Sequence, residues 1–281
     1  MSNSASNEPS AVRIGAVTYL NARPLTFCLP QYLPGAQVTV DLPSRLADAL
    51  AAGRLDVALV PSIECFRHAD YAIVSDACVA CDGPVRSVML YGRVPVEQVR
   101  TLALDEGSRT SAAMAQILLK ERFDLQPRLR LLPIGASIED SDADAVMLIG
   151  DRALRPTNKR YAFIWDLGEQ WSRWAGLPFV FAMWIARCDR SGPPIYWPRL
   201  GQALGAARDE GTDRLAEIAR RAAPAVGIPE AACLTYLRDH LDFRLGDRQR
   251  RGLGRFRELA VRHGHASAGV ELVFDDQPTA R

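Results

Sequence analysis

The chain predicts an α/β fold of two lobes facing each other across a cleft, and three observations carry that prediction. Short β-rich runs alternate with helical patterns through the first two-thirds of the 281 residues, the mark of parallel sheets with crossover helices. The alternation falls into two βα-rich stretches joined by short strand crossings. In such folds ligands bind beyond the carboxyl ends of strands and between lobes. From Trp197 onward the pattern changes, and helices replace strands.

In chain order, residues 12–18 form the first predicted strand, and the loop Tyr19-Leu20-Asn21-Ala22-Arg23-Pro24 follows it. A second strand spans 37–42. Pro43-Ser44 then opens a helix over 45–52, which Gly53 stops. The third strand, 56–60, runs into Pro61-Ser62. Strands are expected at 85–91, 101–104, 129–132, 145–149 and, as a buried run returning across the protein, 179–185. The exit turn Asp105-Glu106-Gly107 leads through Ser108-Arg109-Thr110-Ser111 into a helix ending at Phe123. Met114, Ile117, Leu118 and Phe123 mark its buried face. His68 falls on a further expected helix. Residues 166–174 read as helix, followed later by 200–208, 214–222, 230–241 and 248–263. Strand signals return only at 270–274.

Composition narrows the function classes. With 48% hydrophobic and 24% charged residues, a packed core is expected rather than disorder. A net charge of +1 offers no broad attraction for nucleic acid or anionic lipid, so an anionic ligand must be held by a local site. Residues 1–11 read as a flexible polar tail without the features of a secretory signal. The apolar run 177–186 is far shorter than the roughly 20 residues of a membrane span. A cytoplasmic protein with a small-molecule partner, neither nucleic acid nor membrane, is expected; its oligomeric state is left open.

Six cysteines include one CxxC, Cys78-Val79-Ala80-Cys81. No second pair accompanies it, and His68, His240, His263 and His265 lie far from it in the chain. It also runs into a turn, Asp82-Gly83-Pro84, rather than opening a helix. Packed thiols are the favoured reading; a metal or redox site is the alternative. The aromatic-rich stretch 165–184 fits core packing better than a cofactor box. With no GxGxxG, Walker loop or metal motif, no cofactor and no metal are expected.

Several blocks together carry a family resemblance. The opening loop reads Gly15-Ala16-Val17-Thr18-Tyr19-Leu20-Asn21-Ala22-Arg23-Pro24, and Asp56-Val57-Ala58-Leu59-Val60-Pro61-Ser62-Ile63-Glu64 follows. Next come Asp82-Gly83-Pro84-Val85-Arg86-Ser87-Val88, Ser108-Arg109-Thr110-Ser111 and Leu148-Ile149-Gly150-Asp151. Asp166 to Trp171 and Trp174 to Phe181 complete the series, with a looser match at Tyr236-Leu237 and Gly252-Leu253. In this order the blocks resemble the chorismate dehydratases of the futalosine route to menaquinone. Two departures stand out: Cys81, where a small hydroxyl residue is usual, and Arg86, where glycine is usual.

The resemblance implies a type II periplasmic-binding-protein-like fold. One lobe would comprise 12–100 plus 186–281 and the other 101–185. It also implies a hydro-lyase that removes a ring proton and the neighbouring hydroxyl of chorismate, giving 3-[(1-carboxyvinyl)oxy]benzoate. Two alternatives share the fold: a cytoplasmic protein that binds or senses a small carboxylate, and the naphthoate synthase of the same pathway. The Asn21 loop favours the dehydratase over the latter.

Such a substrate carries two carboxylates. Backbone N–H groups and hydroxyls at 108–111, backed by a helix dipole, would seat one of them, with Ser108, Arg109, Thr110 and Ser111 as binding candidates; Ser108 as a plain helix cap is the alternative. Asn21, able to donate and accept, is a catalytic candidate for orienting the leaving hydroxyl, or else a turn residue. Ser87 is the second catalytic candidate; strand alternation sets it and Arg86 on opposite faces, and Ser87 is chosen for the cleft. Thr18, Tyr19, Ser62 and Asp151 are further binding candidates, with a turn role for Ser62 and an N-cap role for Asp151 as alternatives. No histidine falls in a site loop, which leaves the enolpyruvyl carboxylate of the substrate as the expected proton acceptor.

Overall fold

The computed structural model describes residues 11–188 and 197–274, so all but the last residue of the expected 1–11 tail lies outside it. Two sheets organise the chain. The six-stranded sheet contains β1 (Arg13–Val17), β2 (Gln37–Asp41), β3 (Val57–Pro61), β4 (Tyr71–Cys81), β10 (Phe179–Arg187) and β11 (Asp242–Arg244). Its spatial order is β11-β4-β10-β3-β1-β2. The five-stranded sheet contains β5 (Val88–Gly92), β6 (Thr101–Asp105), β7 (Arg128–Leu132), β8 (Ala145–Ile149) and β9 (Phe163–Asp166), in the order β7-β6-β8-β5-β9.

Each sheet has a parallel nucleus. β1 pairs in parallel with β2 and β3, and β6 with β7 and β8. The chain after β1 passes through the short helices α1 (Arg23–Thr26) and α2 (Leu29–Tyr32). Helix α3 (Pro43–Ala51) crosses from β2 to β3; Pro43 starts it without losing a bonded N–H, and Leu46, Ala47 and Leu50 face the core. Helix α4 (Thr110–Phe123) makes the equivalent crossing from β6 to β7.

The expectation of parallel sheets holds only for these nuclei. β10 inserts between β3 and β4 and runs antiparallel to both, and β5 is antiparallel to β8 and β9. Both sheets are therefore mixed. The reason is the chain path: it leaves the first sheet after β4, builds the second, and returns through β10. The limits expected at residues 100 and 185 put β5 with the first stretch and most of β10 with the second. In the structure β5 belongs to the five-stranded sheet and β10 to the six-stranded one.

The eleven-residue β4 was not expected as a strand. It is buried along nearly its whole length, so it shows no alternation, and its Ala, Ser, Asp and Cys residues carry little β propensity. β9 and β11 are likewise unexpected; four and three residues leave no periodicity to read. The final strand expected at 270–274 reduces to one bridge, Phe274 with Ile73. The predicted helix near His68 is a 3-10 turn, Ser62–Phe66, that ends before it.

Helix α5 (Leu167–Ala175) is capped by Asp166, whose carboxylate accepts from the Glu169 N–H. The C-terminal part forms α6 (Trp197–Asp213), α7 (Leu215–Val226), α8 (Glu230–Asp239) and α9 (Asp247–Arg262). Trp171 of α5, Phe179 of β10 and Phe256 of α9 meet edge to face, with ring centroids 4.8 to 5.9 Å apart. The aromatic stretch thus joins the returning strand to the last helix as core. Cys78 and Cys81 are both buried on β4, three residues apart and so on opposite faces of the strand. Burial pushes both thiols well above the usual range, which suits packing and not redox chemistry. No helix among the described residues is long and apolar enough to cross a membrane.

Candidate active site

The carboxyl ends of β1, β3, β6 and β8 face one another across a cleft that opens to solvent on one side. Asn21, Tyr19, Ser87 and the whole segment Ser108–Ser111 line it, with Val17, Leu59, Phe181 and Ile149 supplying apolar walls. Thr18, Ser62 and Asp151 are not among its lining residues.

The Asn21 loop is a 3-10 turn, Leu20–Ala22, locked from the opposite side by Asp151. The Asp151 carboxylate accepts from the Leu20 N–H at 2.9 Å. Asp151 lies inside a 3-10 turn of its own, Gly150–Arg152, and not at the cap of a helix that follows it. Burial pushes its carboxyl up, while the Leu20 N–H, Arg23 and Arg155 pull it back. The Tyr19 ring packs against Gly150. That glycine has φ +66°, and a Cβ built there would stand 2.7 to 2.9 Å from the Tyr19 ring. Burial, and then the nearby Asp105 charge, push the Tyr19 phenol up to about 12. Tyr19 therefore stays a neutral donor at ordinary pH.

The 105–111 segment is built around a buried carboxylate. Asp105 is 2% exposed; its oxygens accept from the N–H groups of Gly107 at 3.0 Å and Ile149 at 3.3 Å. It also pairs with Arg152 at 2.5 Å. Helix α4 starts at Thr110 with Arg109 in the cap position, and no side chain caps it, so Ser108 is not the cap. The first N–H to bond back along the helix is that of Ala113, to the Arg109 carbonyl at 3.2 Å. The first turn before it carries N–H groups without intrahelical partners, and Thr110 and Ser111 of that turn line the cleft, where a helix N-terminus favours negative charge. The Thr110 hydroxyl accepts from the Ile63 N–H at 3.3 Å, tying the two sheets together. Ser62 is fully buried and donates to the Val180 carbonyl at 2.7 Å, which makes it a structural tie behind the cleft. Arg109 reaches Asp48 at 2.6 Å and Glu64 at 3.4 Å, so its charge is largely matched before any ligand arrives.

Ser87 faces the cleft by a different route from the one alternation proposes. Residues 85–87 are a turn, not strand: Arg86 has φ +62°, the left-handed region where glycine is at home. The buried Asp166 carboxylate holds this turn by accepting from the N–H groups of Val85 at 2.9 Å and Arg86 at 2.6 Å. Ser87 is 1% exposed, and its carbonyl accepts from the Gly150 N–H at 2.9 Å. The Arg86 side chain turns instead toward a second groove, lined also by His240 and Arg155.

Tyr236 was given no role from the sequence. It reaches in from α8, and its hydroxyl donates to the Ser87 hydroxyl at 2.7 Å. The signal was local: a tyrosine on the face of a helix shared with Cys233 and Leu237 needs a polar partner for its hydroxyl. Among the described residues no cluster of histidine, cysteine or carboxylate side chains is placed to hold a metal.

Comparison with known proteins adds to this geometry. A family model described as menaquinone biosynthesis matches residues 12–262. The chorismate dehydratase of Thermus thermophilus is 33% identical over 263 residues, covering 87% of this chain and 93% of that protein. The chorismate dehydratase of Campylobacter jejuni is 30% identical over 174 residues, 60% of this chain and 64% of that protein. Among solved structures, protein AF1704 from Archaeoglobus fulgidus superposes with a TM-score of 0.74 at 14% identity, over 92% of this chain and 99% of its own. The periplasmic aliphatic sulphonate binding protein SsuA from Escherichia coli does so with 0.64 at 15% identity, over 98% and 94%. At these identities the structural likeness establishes the fold, that of the periplasmic binding proteins, while the sequence matches establish descent: the chain belongs to the menaquinone-biosynthesis family.

Proposed function

We infer that the protein is a chorismate dehydratase, converting chorismate to 3-[(1-carboxyvinyl)oxy]benzoate and water. The observation that carries this is convergence: Asn21, Ser87 and the 108–111 segment, far apart in sequence, line one cleft in a chain one-third identical to a chorismate dehydratase. Two lobes, each built on one sheet, would close on the substrate.

The lining fits a dianionic ring whose aromatisation supplies the driving force. The first turn of α4, with Ser108 and Ser111, seats one carboxylate through neutral donors. Arg109, already paired, adds a weak attraction. Asn21 and Ser87 sit opposite and address the reacting edge of the ring, where a hydrogen bond to the departing hydroxyl helps it leave. Among the described residues the lining contains no histidine, aspartate or glutamate. Tyr19, its phenol raised to about 12, is a poor base. The enolpyruvyl carboxylate of the bound substrate is then the proton acceptor, its proximity substituting for a protein group.

The test is to incubate the protein with chorismate and follow the aromatic product by chromatography. Asn21→Ala should lower kcat by roughly a hundredfold, the cost of losing one oriented hydrogen-bonding group in a dry site. Binding of chorismate without product would leave a binding protein and overturn the assignment.

A further inference from the structure

Of the C-terminal helices, α6 and α9 pack against the six-stranded sheet, while α8 packs on α7 and on the Asn21 turn and delivers a polar atom to the reacting edge of the cleft. Tyr236 on α8 is 3% exposed, and its hydroxyl donates to Ser87 Oγ at 2.7 Å. Asn21 and Ser87 both line the cleft in front of it. One buried phenol therefore holds a side chain to which the dehydration is assigned, and it does so from behind, since it is not among the cleft-lining residues.

A serine hydroxyl carries one hydrogen and two acceptor lone pairs. Once Ser87 Oγ accepts from Tyr236, its own hydrogen is left for another partner, and the open side of Ser87 is the cleft. Without that contact the Ser87 rotor is free to turn its hydrogen elsewhere. We propose that Tyr236 is a positioning residue of the dehydration site: its hydroxyl fixes Ser87 as a donor into the cleft. This rests on the dehydratase reading above. Burial pushes the Tyr236 phenol far up, with the Ser87 hydrogen bond pulling it only part of the way back, so the group remains a donor at working pH.

Steady-state turnover of chorismate by the full chain decides it, using wild type, Tyr236→Phe, Ser87→Ala and the double variant. Tyr236→Phe should lower kcat about tenfold, the size of one net hydrogen bond, with KM changed less than about threefold. The double variant should lose less than the product of the two single losses, because Tyr236 acts largely through Ser87. Wild-type kcat in Tyr236→Phe beside a slow Ser87→Ala, or fully multiplicative losses, overturns the proposal. A Ser87→Ala of unchanged rate would instead remove Ser87 from the site, and absence of product from wild type would remove the dehydratase reading. Should Tyr236→Phe fail to fold, 3,5-difluorotyrosine at position 236 keeps ring and hydroxyl. Its kcat should then fall above the pH at which absorbance shows that phenol ionising, and a flat profile there refutes the role.

Discussion

Replacing Gly150 by alanine perturbs the cleft where its wall packs against Tyr19. Two costs are expected. The first is conformational: Gly150 sits at φ +66°, where a side chain costs about 1–2 kcal/mol. The second is steric, because the new Cβ would stand 2.7 Å from Tyr19 Cε1 and 2.8 Å from Cδ1. The ring cannot yield without leaving the cleft wall, and forced overpacking of this kind costs about 1–3 kcal/mol. Stiffening of the unfolded chain returns about 0.4–1 kcal/mol, which leaves a net loss of roughly 2–4 kcal/mol. For a chain of this size that is a drop in Tm of roughly 5–15 °C. Gly264→Ala is the control, since Gly264 has φ +74° but nothing within 4 Å of a built Cβ. It should lose only the conformational part, roughly 1 kcal/mol. Chemical denaturation of both variants, with KM for chorismate measured beside it, isolates the Tyr19 contact. Equal losses in the two variants, with KM unchanged in Gly150→Ala, would refute the placement of Tyr19 against Gly150.

Two further outcomes are expected elsewhere. Arg86→Gly relieves a left-handed non-glycine residue, so it should leave stability unchanged or raise it by up to about 1 kcal/mol. It should also hold kcat within about twofold, because that guanidinium faces the second groove; a tenfold loss would put Arg86 in the site. Asp56 accepts from the Arg13 N–H at 2.8 Å and pairs with its guanidinium at 2.5 Å. Burial pushes its carboxyl up, but Arg13 outweighs burial and holds it below the usual carboxylate range. The stability this contributes is present above the unfolded aspartate value near about 3.9 and is lost as pH falls through the lower folded value. Asp56→Asn should therefore be less stable than wild type by about 1 kcal/mol at pH 7, and the gap should close in acid. A gap independent of pH in urea titrations would refute the linkage.

How much was legible depended on where each signal lives. Crossover units such as β2-α3-β3 and β6-α4-β7 announce themselves locally, through a proline at a helix start, an apolar face or a polar exit turn. The site loops were legible for the same reason, since they follow strand ends. β4 was not, because burial on both faces erases alternation, and the antiparallel insertion of β10 depends on a strand more than a hundred residues away in the chain.

The roles within the site divide along the same line. From the sequence alone came the two βα-rich stretches, the cleft, and Asn21, Ser87 and 108–111 as its polar lining. Only the tertiary structure decided that Ser62 and Asp151 are ties behind the cleft, that a left-handed Arg86 turns Ser87 inward, and that Tyr236 stands behind Ser87. Each of those depends on which hydrogen-bond partner a polar group finds once buried, and that partner comes from a distant part of the chain. Local propensity carries no record of it.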